Sequence, residues 1–310
     1  MESRTIGSLS VSVVGLGCNN FGRRLDADAT RQVVDAALEH GITLFDTADV
    51  YGGEGRSEEL LGQALGSRRE QAVIATKFGM PLDEQRRGAH PDYVHRACED
   101  SLRRLGTDHI DLYQLHAPDP EVPIAETLGA LDELVRAGKV REIGNSNFTG
   151  EQIDEAEQAA REAATVGFVV AQNRWSVLSR RIEDDVVPAA ERNGLKILPY
   201  FPLASGLLTG KYRPGEEPDP SWRIASMPED RRRQLLDEQR LARVAALEEV
   251  ASERGRSLLE LALGWLASQP IIASVIAGAT RPEQVAANVA AAEWRLDDDA
   301  LAAVDEITGR

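Results

Sequence analysis

The segment Gly15-Leu16-Gly17-Cys18-Asn19-Asn20 decides between two α/β architectures that are open to this chain. It closes the first apolar run of the sequence, where an open, dinucleotide-binding sheet carries a GxGxxG pattern. Here Asn20 stands in place of the third glycine. The alternative arrangement of parallel strands and helices is a closed (β/α)8 barrel, the TIM barrel, and the sequence favours it.

Short apolar or β-branched runs alternate with segments of helical period along the rest of the chain, as in α/β folds. We predict eight strands, at 13–18, 43–46, 72–77, 110–116, 140–144, 168–172, 195–200 and 272–276. We predict helices at 28–40, 57–66, 91–105, 123–137, 149–163, 181–193, 257–268 and 282–292. These elements predict a single barrel domain over residues 1–310, with an N-terminal β-hairpin at 5–11 that plugs the bottom of the barrel.

Local signals mark several helix ends. Ser57 offers a capping oxygen with acidic residues behind it, and Thr149-Gly150-Glu151-Gln152 resembles a capping box. Gly41, Gly138 and Gly194 each follow a helical stretch and precede a strand, where a left-handed residue is needed. These positions therefore predict where helices begin and end.

The stretch 201–240, after the seventh strand, is predicted to be a long irregular loop. Five prolines rule out continuous secondary structure there: Pro202, Pro214, Pro218, Pro220 and Pro228. Because loops of this length in compact domains are usually functional, we interpret it as a lid over the barrel mouth. A further helix is expected at about 240–254.

Composition excludes several classes of protein. The formal net charge of −16 argues against a nucleic-acid or anionic-membrane partner, because such surfaces need clustered Lys and Arg. Two cysteines do not make a disulfide framework, and no CxxC or HExxH motif occurs, so we expect no metal site. No secretory signal and no apolar run of about 18 residues is visible. We therefore expect a cytoplasmic protein without a membrane span.

Polar side chains end most of the predicted strands. The second strand ends in Asp46, the third in Lys77, the fourth in His116, and the later ones in Ser146-Asn147, Gln172 and Tyr200. In barrel enzymes the active site lies at the carboxyl ends of the strands, so these side chains converge on one place. Tyr51 lies on the loop after Asp46 and can return over the mouth.

Four of these side chains suggest proton transfer to a carbonyl group. Lys77 beside Asp46 forms a buried ion pair, which is costly unless it has further partners. A cationic ammonium beside Tyr51 is expected to lower the pKa of the phenol and make it a better proton donor. His116 can hydrogen-bond the carbonyl oxygen and orient it. The set suits protonation of that oxygen as hydride reaches the carbon.

Several motifs resemble those of one enzyme family. They are Phe45-Asp46-Thr47-Ala48-Asp49-Val50-Tyr51-Gly52, Ser57-Glu58-Glu59-Leu60-Leu61-Gly62, Thr76-Lys77, Asp111-Leu112-Tyr113-Gln114-Leu115-His116, Gly144-Asn145-Ser146-Asn147-Phe148, Pro202-Leu203-Ala204-Ser205-Gly206-Leu207-Leu208-Thr209-Gly210-Lys211-Tyr212 and Gly278-Ala279-Thr280-Arg281-Pro282-Glu283-Gln284. On these residues the chain resembles the aldo-keto reductase superfamily, in its bacterial-type branch similar to potassium-channel β subunits. The resemblance implies a barrel, NADPH (NADP+) as hydride donor, and a small carbonyl substrate. Its catalytic tetrad falls on Asp46, Tyr51, Lys77 and His116, with Tyr51 as general acid.

The resemblance also implies a cofactor site along the barrel mouth. Ser146, Asn147 and Gln172 would hold the nicotinamide carboxamide, Tyr200 would stack on the ring, and Leu203, Gly206, Leu207, Leu208 and Lys211 would lie along the phosphates. Gly278, Thr280, Arg281, Gln284 and Asn288 would hold the adenosine end. A guanidinium pairs with a phosphate in fork geometry, so Arg281 would favour NADPH over NADH.

Two other functions remain open on the same barrel. Lys77 at a strand end would serve a Schiff-base lyase or aldolase if it were neutral, although Asp46 holds the ammonium charged. A regulatory protein that senses the nicotinamide cofactor and contacts a partner would carry the same residues. The complete tetrad favours catalysis.

Overall fold

Eight parallel strands form the central sheet, as the sequence predicts. The structure is a computed structural model that describes residues 1–213, 215–220 and 222–310; Pro214, one of the loop prolines, lies outside these ranges. The strands pair in the order β10-β3-β4-β5-β6-β7-β8-β9. They are β3 (Val14–Gly17), β4 (Leu44–Asp46), β5 (Val73–Phe78), β6 (Ile110–Leu115), β7 (Val140–Ser146), β8 (Val170–Arg174), β9 (Lys196–Tyr200) and β10 (Val275–Gly278).

The barrel closes between β9 and the residues before β10. Ile197 in β9 forms a parallel bridge with Ile272, and its backbone exchanges hydrogen bonds with Ile271 and Ala273. Three residues further on, β10 turns away from β9 and pairs with β3 over Val275–Gly278. The apolar run predicted as one strand at 272–276 thus serves two neighbours in succession, which is why the strand lies further along the chain than predicted.

The predicted hairpin fills the bottom of the barrel. Strands β1 (Ser3–Ile6) and β2 (Leu9–Ser12) pair antiparallel around Gly7 and Ser8. Its apolar side chains Ile6, Leu9 and Val11 are buried in one cluster with side chains of the barrel wall, namely Leu44, Ala75, Leu112, Val170, Leu198, Ala273 and Ile276. The prediction of an N-terminal hairpin is confirmed, and its contacts show that it is part of the core.

Helices surround the sheet. They are α1 (Ala27–Glu39), α2 (Arg56–Leu65), α3 (Pro91–Leu105), α4 (Ile124–Arg136), α5 (Gly150–Ala163), α6 (Val186–Asn193), α7 (Glu229–Leu235), α8 (Glu238–Ser252), α9 (Leu258–Ala267), α10 (Pro282–Ala291) and α11 (Asp298–Thr308). Short 3-10 turns lie at Gly66–Gln71, Arg181–Asp184 and Ala204–Thr209. Within the described ranges no helix combines the length and apolar character needed to cross a bilayer.

The helix predictions differ from the structure in three places. The segment 181–193 is a 3-10 turn followed by α6, because the chain bends at Asp185, whose φ of −138° is not helical. Helix α7 interrupts the predicted irregular loop. Pro228 precedes its first residue, where a missing backbone N–H does not disrupt the helix. Helix α11 was not predicted, although Asp297 caps it through a hydrogen bond to Ala300 N–H.

The residues predicted to mark helix starts and ends were correct with one exception. Thr149 and Gln152 form the expected capping box, and Gly41, Gly138 and Gly194 have φ values of +77°, +71° and +72°. The assignment of Ser57 as a cap was wrong. Helix α2 starts two residues earlier, after Gly55 at φ +80°, and the Ser57 hydroxyl instead donates to Cys18 O at 2.8 Å.

Two glycines within helices test how closely α2 packs against α3. A Cβ at Gly62 in α2 would lie 2.2 Å from Leu105 O in α3, whereas a Cβ at Gly129 in α4 meets nothing within 4 Å. We expect Gly62→Ala to destabilise the fold by about 1–3 kcal/mol through overpacking. Gly129→Ala should stabilise it by about 1 kcal/mol through helix propensity. Urea unfolding of both variants is the measurement, and equal effects would contradict this packing.

Candidate active site

One cavity opens at the carboxyl ends of the strands, with a volume of about 830 Å³. Most residues assigned to the site from sequence line it: Asp46, Tyr51, His116, Ser146, Asn147, Gln172, Tyr200, Leu203, Gly206, Lys211, Gly278, Thr280, Arg281, Gln284 and Asn288. Lys77 does not line the cavity and lies directly beneath it, bonded to Asp46. The geometry therefore brings together residues that are up to about 240 positions apart in the chain.

The Lys77–Asp46 pair forms the buried floor of this site. The Lys77 ammonium donates to both carboxylate oxygens of Asp46 at 2.7 Å and to Thr47 O at 2.8 Å, and its side chain is 0% exposed. Gln172 Nε2 donates to Asp46 Oδ1 at 2.8 Å. Burial lowers the pKa of Lys77, but the charges of Asp46 and Tyr51 and the hydrogen bonds to Asp46 together exceed that effect and raise the pKa overall. The lysine is therefore a fixed cation, which argues against Schiff-base chemistry.

Tyr51 lies above this cation. Its ring centroid is 5.2 Å from the Lys77 Nζ and 5.7 Å from the centroid of the His116 ring, which it meets edge to face. Burial raises the pKa of Tyr51, and this effect exceeds the lowering by Lys77. The expectation of a lowered pKa was thus wrong for the net direction in this structure. The phenol holds its proton at neutral pH, as a proton donor must.

His116 faces Tyr51 as a neutral imidazole. Burial, followed by the charge of Lys77, lowers the pKa of His116 to about 3. Its Nδ1 is buried and meets no hydrogen-bond partner within the described residues. A neutral imidazole carries one N–H donor, so this ring can hydrogen-bond a carbonyl oxygen without contributing a charge.

A chain of hydrogen bonds joins the neighbouring strand ends. Asn147, at φ +63°, donates through Nδ2 to His116 O at 2.9 Å and accepts at Oδ1 from the Tyr200 hydroxyl at 2.7 Å. Ser146 Oγ donates to Gln172 O at 2.9 Å. The Gln172 amide nitrogen is already bonded to Asp46 and to Gln114, so Gln172 holds the ion pair in place as well as lining the cavity.

The turn after β9 has an unusual backbone. Phe201, Ala204 and Ser205 have φ values of +54°, +47° and +63°, which non-glycine residues rarely adopt outside functional sites. The side chains of Leu207 and Leu208 are 0% exposed and pack into the hydrophobic core, and neither residue lines the cavity. The expectation that the backbone of this turn meets the phosphates stays a prediction.

The far end of the cavity carries positive charge. Lys211 and Arg281 line it, and Arg24 and Arg281 add to burial in lowering the pKa of Lys211. The Arg281 side chain is 68% exposed at the start of α10, with Glu283 at 3.7 Å. Thr280 donates through its N–H to Gln284 Oε1 at 2.8 Å. Cations and amides at this end suit a phosphorylated ligand.

The predicted loop contributes two further residues to the cavity, of which sequence reasoning missed Arg223. Trp222 and Arg223 line the cavity, and the Arg223 guanidinium lies 5.1 Å from the Phe201 ring centroid. Among the described residues no carboxylate lies at ion-pair distance from Arg223, and burial, then Arg23 and Arg24, lowers its pKa. An irregular, proline-rich stretch has no periodicity from which the inward direction of these side chains could be read.

The comparison with protein-family models decides the classification. The model described as "Aldo/keto reductase family" matches residues 13–308. The chain belongs to the aldo/keto reductase family. Three relatives are each 35% identical: a "Probable voltage-gated potassium channel subunit beta" of Arabidopsis thaliana (94% of this chain, 92% of the relative), the "Uncharacterized oxidoreductase YrpG" (99% and 96%) and the "Aldo-keto reductase YhdN" (96% and 91%), both of Bacillus subtilis (strain 168).

These relatives cover nearly the whole barrel of this aldo/keto reductase family member. They confirm the resemblance drawn from the motifs, including its potassium-channel-β-like branch. Among the described residues no group of three or more His, Cys, Asp or Glu is arranged to hold a metal ion.

The ion pair at the floor gives a test that does not depend on activity. We expect Lys77→Met to lower the free energy of unfolding by about 3–5 kcal/mol, because it leaves Asp46 buried without a counter-charge. Adding Asp46→Asn should recover a large part of that loss. Lys139→Met, which breaks an exposed pair with Glu99, should change little. Urea unfolding of all three variants would contradict the argument if the double variant were the least stable.

Proposed function

We propose that this chain is an NADPH-dependent oxidoreductase that reduces aldehydes or ketones to alcohols, with Tyr51 as general acid. The observation that carries the proposal is a single cavity with two chemically different ends. One end holds a protonated phenol and a neutral imidazole above a buried cation, and the other holds Lys211 and Arg281. The names of two relatives, an oxidoreductase and an aldo-keto reductase, agree with this class of reaction.

The lining of the cavity fits a phosphorylated dinucleotide. Tyr200, Ser146 and Asn147 present an aromatic face and polar atoms near the phenol, where a nicotinamide would bind. Lys211 and Arg223 would bind the phosphates, and Thr280, Arg281, Gln284 and Asn288 the adenosine end, with Leu203, Gly206 and Gly278 along the wall. Bound NADPH supplies hydride to the carbonyl carbon.

Tyr51 supplies the proton. The bond from the phenol oxygen to hydrogen breaks as that hydrogen bonds to the carbonyl oxygen, which leaves a tyrosinate. Lys77 stabilises this anion because its ammonium lies within cation–π range of the ring and stays charged beside Asp46. Burial, which raises the pKa of the phenol, keeps it protonated until substrate is bound.

His116 orients the carbonyl group. An imidazole with a pKa of about 3 is neutral at every pH at which the protein would work, so it donates a hydrogen bond and does not compete for the proton. Asn147 fixes the backbone of His116 from the next strand. The phenol and the imidazole thus address the same oxygen from two sides.

A cofactor-sensing, partner-binding role is the second candidate. It is favoured by the relatives named as probable voltage-gated potassium channel β subunits, which are as similar to this chain as the oxidoreductases. Turnover distinguishes the two. Oxidation of NADPH at 340 nm with a panel of aldehydes, ketones and dicarbonyls supports the reductase, whereas tight cofactor binding without turnover favours sensing.

Tyr51→Phe tests the proton donor. We expect turnover to fall by about 10²- to 10⁴-fold, the usual contribution of general acid catalysis, while NADPH affinity measured by fluorescence titration stays near that of the wild type. Tyr212→Phe is a matched control, since its hydroxyl bonds the backbone of Ile224 away from the tetrad. Turnover retained in Tyr51→Phe would remove Tyr51 from the role.

Arg281→Ala tests the cofactor preference. We expect NADPH to bind about 10- to 100-fold more weakly, because a charge-assisted contact with the 2′-phosphate is lost, and NADH to bind nearly as before. Arg103→Ala, on the exposed face of α3, is the control for loss of one positive charge. Equal losses for both cofactors would place Arg281 outside the phosphate site.

A further inference from the structure

A buried charged cluster lies behind the loop that carries Tyr51. It consists of Asp49 in the loop, Glu58 in α2 and Arg104 in α3, with the two carboxyl residues 1% and 0% exposed and the arginine side chain 13% exposed. None of the three lines the cavity. Two buried carboxyl groups therefore face a single guanidinium, outside the part of the molecule where substrate and cofactor would bind.

Glu58 takes the strong hydrogen bonds of this cluster. Arg104 Nε donates to Glu58 Oε2 at 2.6 Å, and Thr76 Oγ1 donates to Oε1 at 2.5 Å. Thr76 is the residue before Lys77 in β5. The paired glutamate thus connects α2 and α3 to the strand that carries Lys77.

The carboxyl group of Asp49 accepts fewer and longer hydrogen bonds than that of Glu58. The Tyr93 hydroxyl approaches Oδ2 at a long 3.4 Å, and Oδ1 meets no donor at bonding geometry in the described part of the chain. Its backbone N–H donates to Lys77 O at 3.1 Å, which anchors the main chain. A buried carboxylate with so few donors favours its protonated form.

The charges around Asp49 act in the same direction. Burial, and after it the charge of Glu58, raises the pKa of Asp49 to about 7, against the opposing effects of Arg104, Tyr93 and the Val50 N–H. The phenol of Tyr113, from β6, also lies close enough to interact electrostatically with Asp49 and Glu58. Asp49 therefore changes its charge in the range where the protein would work.

The cluster contacts both ends of the loop that carries Tyr51, residues 47–57, which we call the Tyr51 loop. Asp49 lies two residues before Tyr51, and Arg104 packs against the loop's end, where a Cβ at Gly55 would lie 2.2 Å from Arg104 Nε. Two residues beyond Gly55, Ser57 N–H donates to Tyr51 O at 3.1 Å. A shift of Asp49 or Arg104 is transmitted to the phenol through a short, turn-rich stretch of backbone.

We propose that Asp49 and Arg104 are positioning residues for Tyr51, and that the charge balance of Asp49, Glu58 and Arg104 sets how firmly the Tyr51 loop is held. The part of this inference that concerns catalysis rests on the proposed role of Tyr51. Ionisation of Asp49 puts a second negative charge beside Glu58 with only Arg104 to balance it, so the loop is held less firmly as pH rises through about 7.

Hydrogen–deuterium exchange tests the loop without requiring turnover. After correction for intrinsic rates, residues 47–57 of the wild type should exchange several-fold faster at pH 8 than at pH 6. In Asp49→Asn, which has the same shape and no charge, the corrected rates should be equal at the two values. An unchanged wild-type rate, or a pH dependence that persists in Asp49→Asn, overturns the coupling.

Thermal unfolding tests the same ionisation of Asp49 through the pH dependence of stability. The folded state binds the Asp49 proton more tightly than the unfolded state, so this residue's contribution to stability falls as pH rises from about 4 to about 7. The difference in Tm between Asp49→Asn and the wild type should therefore move in favour of the variant between pH 4.5 and pH 8. A constant difference contradicts the proposal.

The charge balance is tested by rescue. Arg104→Met leaves two carboxyl groups without a cation, and we expect kcat to fall about 10- to 100-fold through misplacement of Tyr51, with NADPH affinity unchanged. Adding Glu58→Gln should restore kcat at least partly. The double variant keeps only Asp49 as an ionisable group, so the cluster again holds no uncompensated charge while Asp49 is protonated. Failure of rescue in a folded double variant overturns the positioning role. A wild type that turns over no substrate would contradict the proposed function instead, and the exchange experiment would still decide on the loop.

Discussion

A buried lysine that donates to both oxygens of a buried aspartate is the interaction on which the active site depends. The ammonium of Lys77 has no exposed surface, so its charge is compensated by protein groups, which among the described residues include Asp46, Thr47 O and the ring of Tyr51. Burial, and after it the charge of Lys77, lowers the pKa of His116, whereas the same charge opposes the effect of burial on the pKa of Tyr51. One buried cation therefore acts on both side chains that lie above it.

The distribution of charge over the molecule separates this site from the rest. The chain carries a formal net charge of −16, yet Arg24, Lys211, Arg223 and Arg281 all line the same cavity. Outside this cavity, the half-buried Arg69 and Arg180 are paired with carboxylates at 2.7 and 2.6 Å. A local positive field inside an acidic surface selects for anionic ligands and repels the cations that the surface attracts.

Much of the fold, and the convergence of side chains in the candidate site, was predictable because local sequence signals mark strand ends and helix ends. Asp46 and Lys77 lie at the ends of buried strands and His116 directly follows one, and the parallel register that brings them together follows from the barrel. What could not be predicted depends on contacts between distant segments. The net pKa of Tyr51 is set by how deeply the loop is buried, and the role of Gln172 in holding Asp46 depends on its rotamer.

The directions of side chains in the irregular stretch 201–240 also could not be predicted from the sequence. Prolines correctly indicated that residues 201–240 contain no continuous element, but not that Leu207 and Leu208 turn into the core while Arg223 turns to the cavity. The turn also holds left-handed residues at Phe201, Ala204 and Ser205, none of which is a glycine. Sequence patterns report a left-handed position reliably only when the residue is one that prefers it.

The hairpin at the bottom of the barrel has a consequence for how the chain reaches this structure. Its side chains pack against Ala273 and Ile276, and Arg4 donates to Ala267 O and Ile272 O, across more than 260 residues of sequence. During synthesis these partners emerge from the ribosome long after the hairpin has done so. The first strands therefore stay incompletely packed until residues 267–276 have been synthesised, and closure of the barrel can only follow that point.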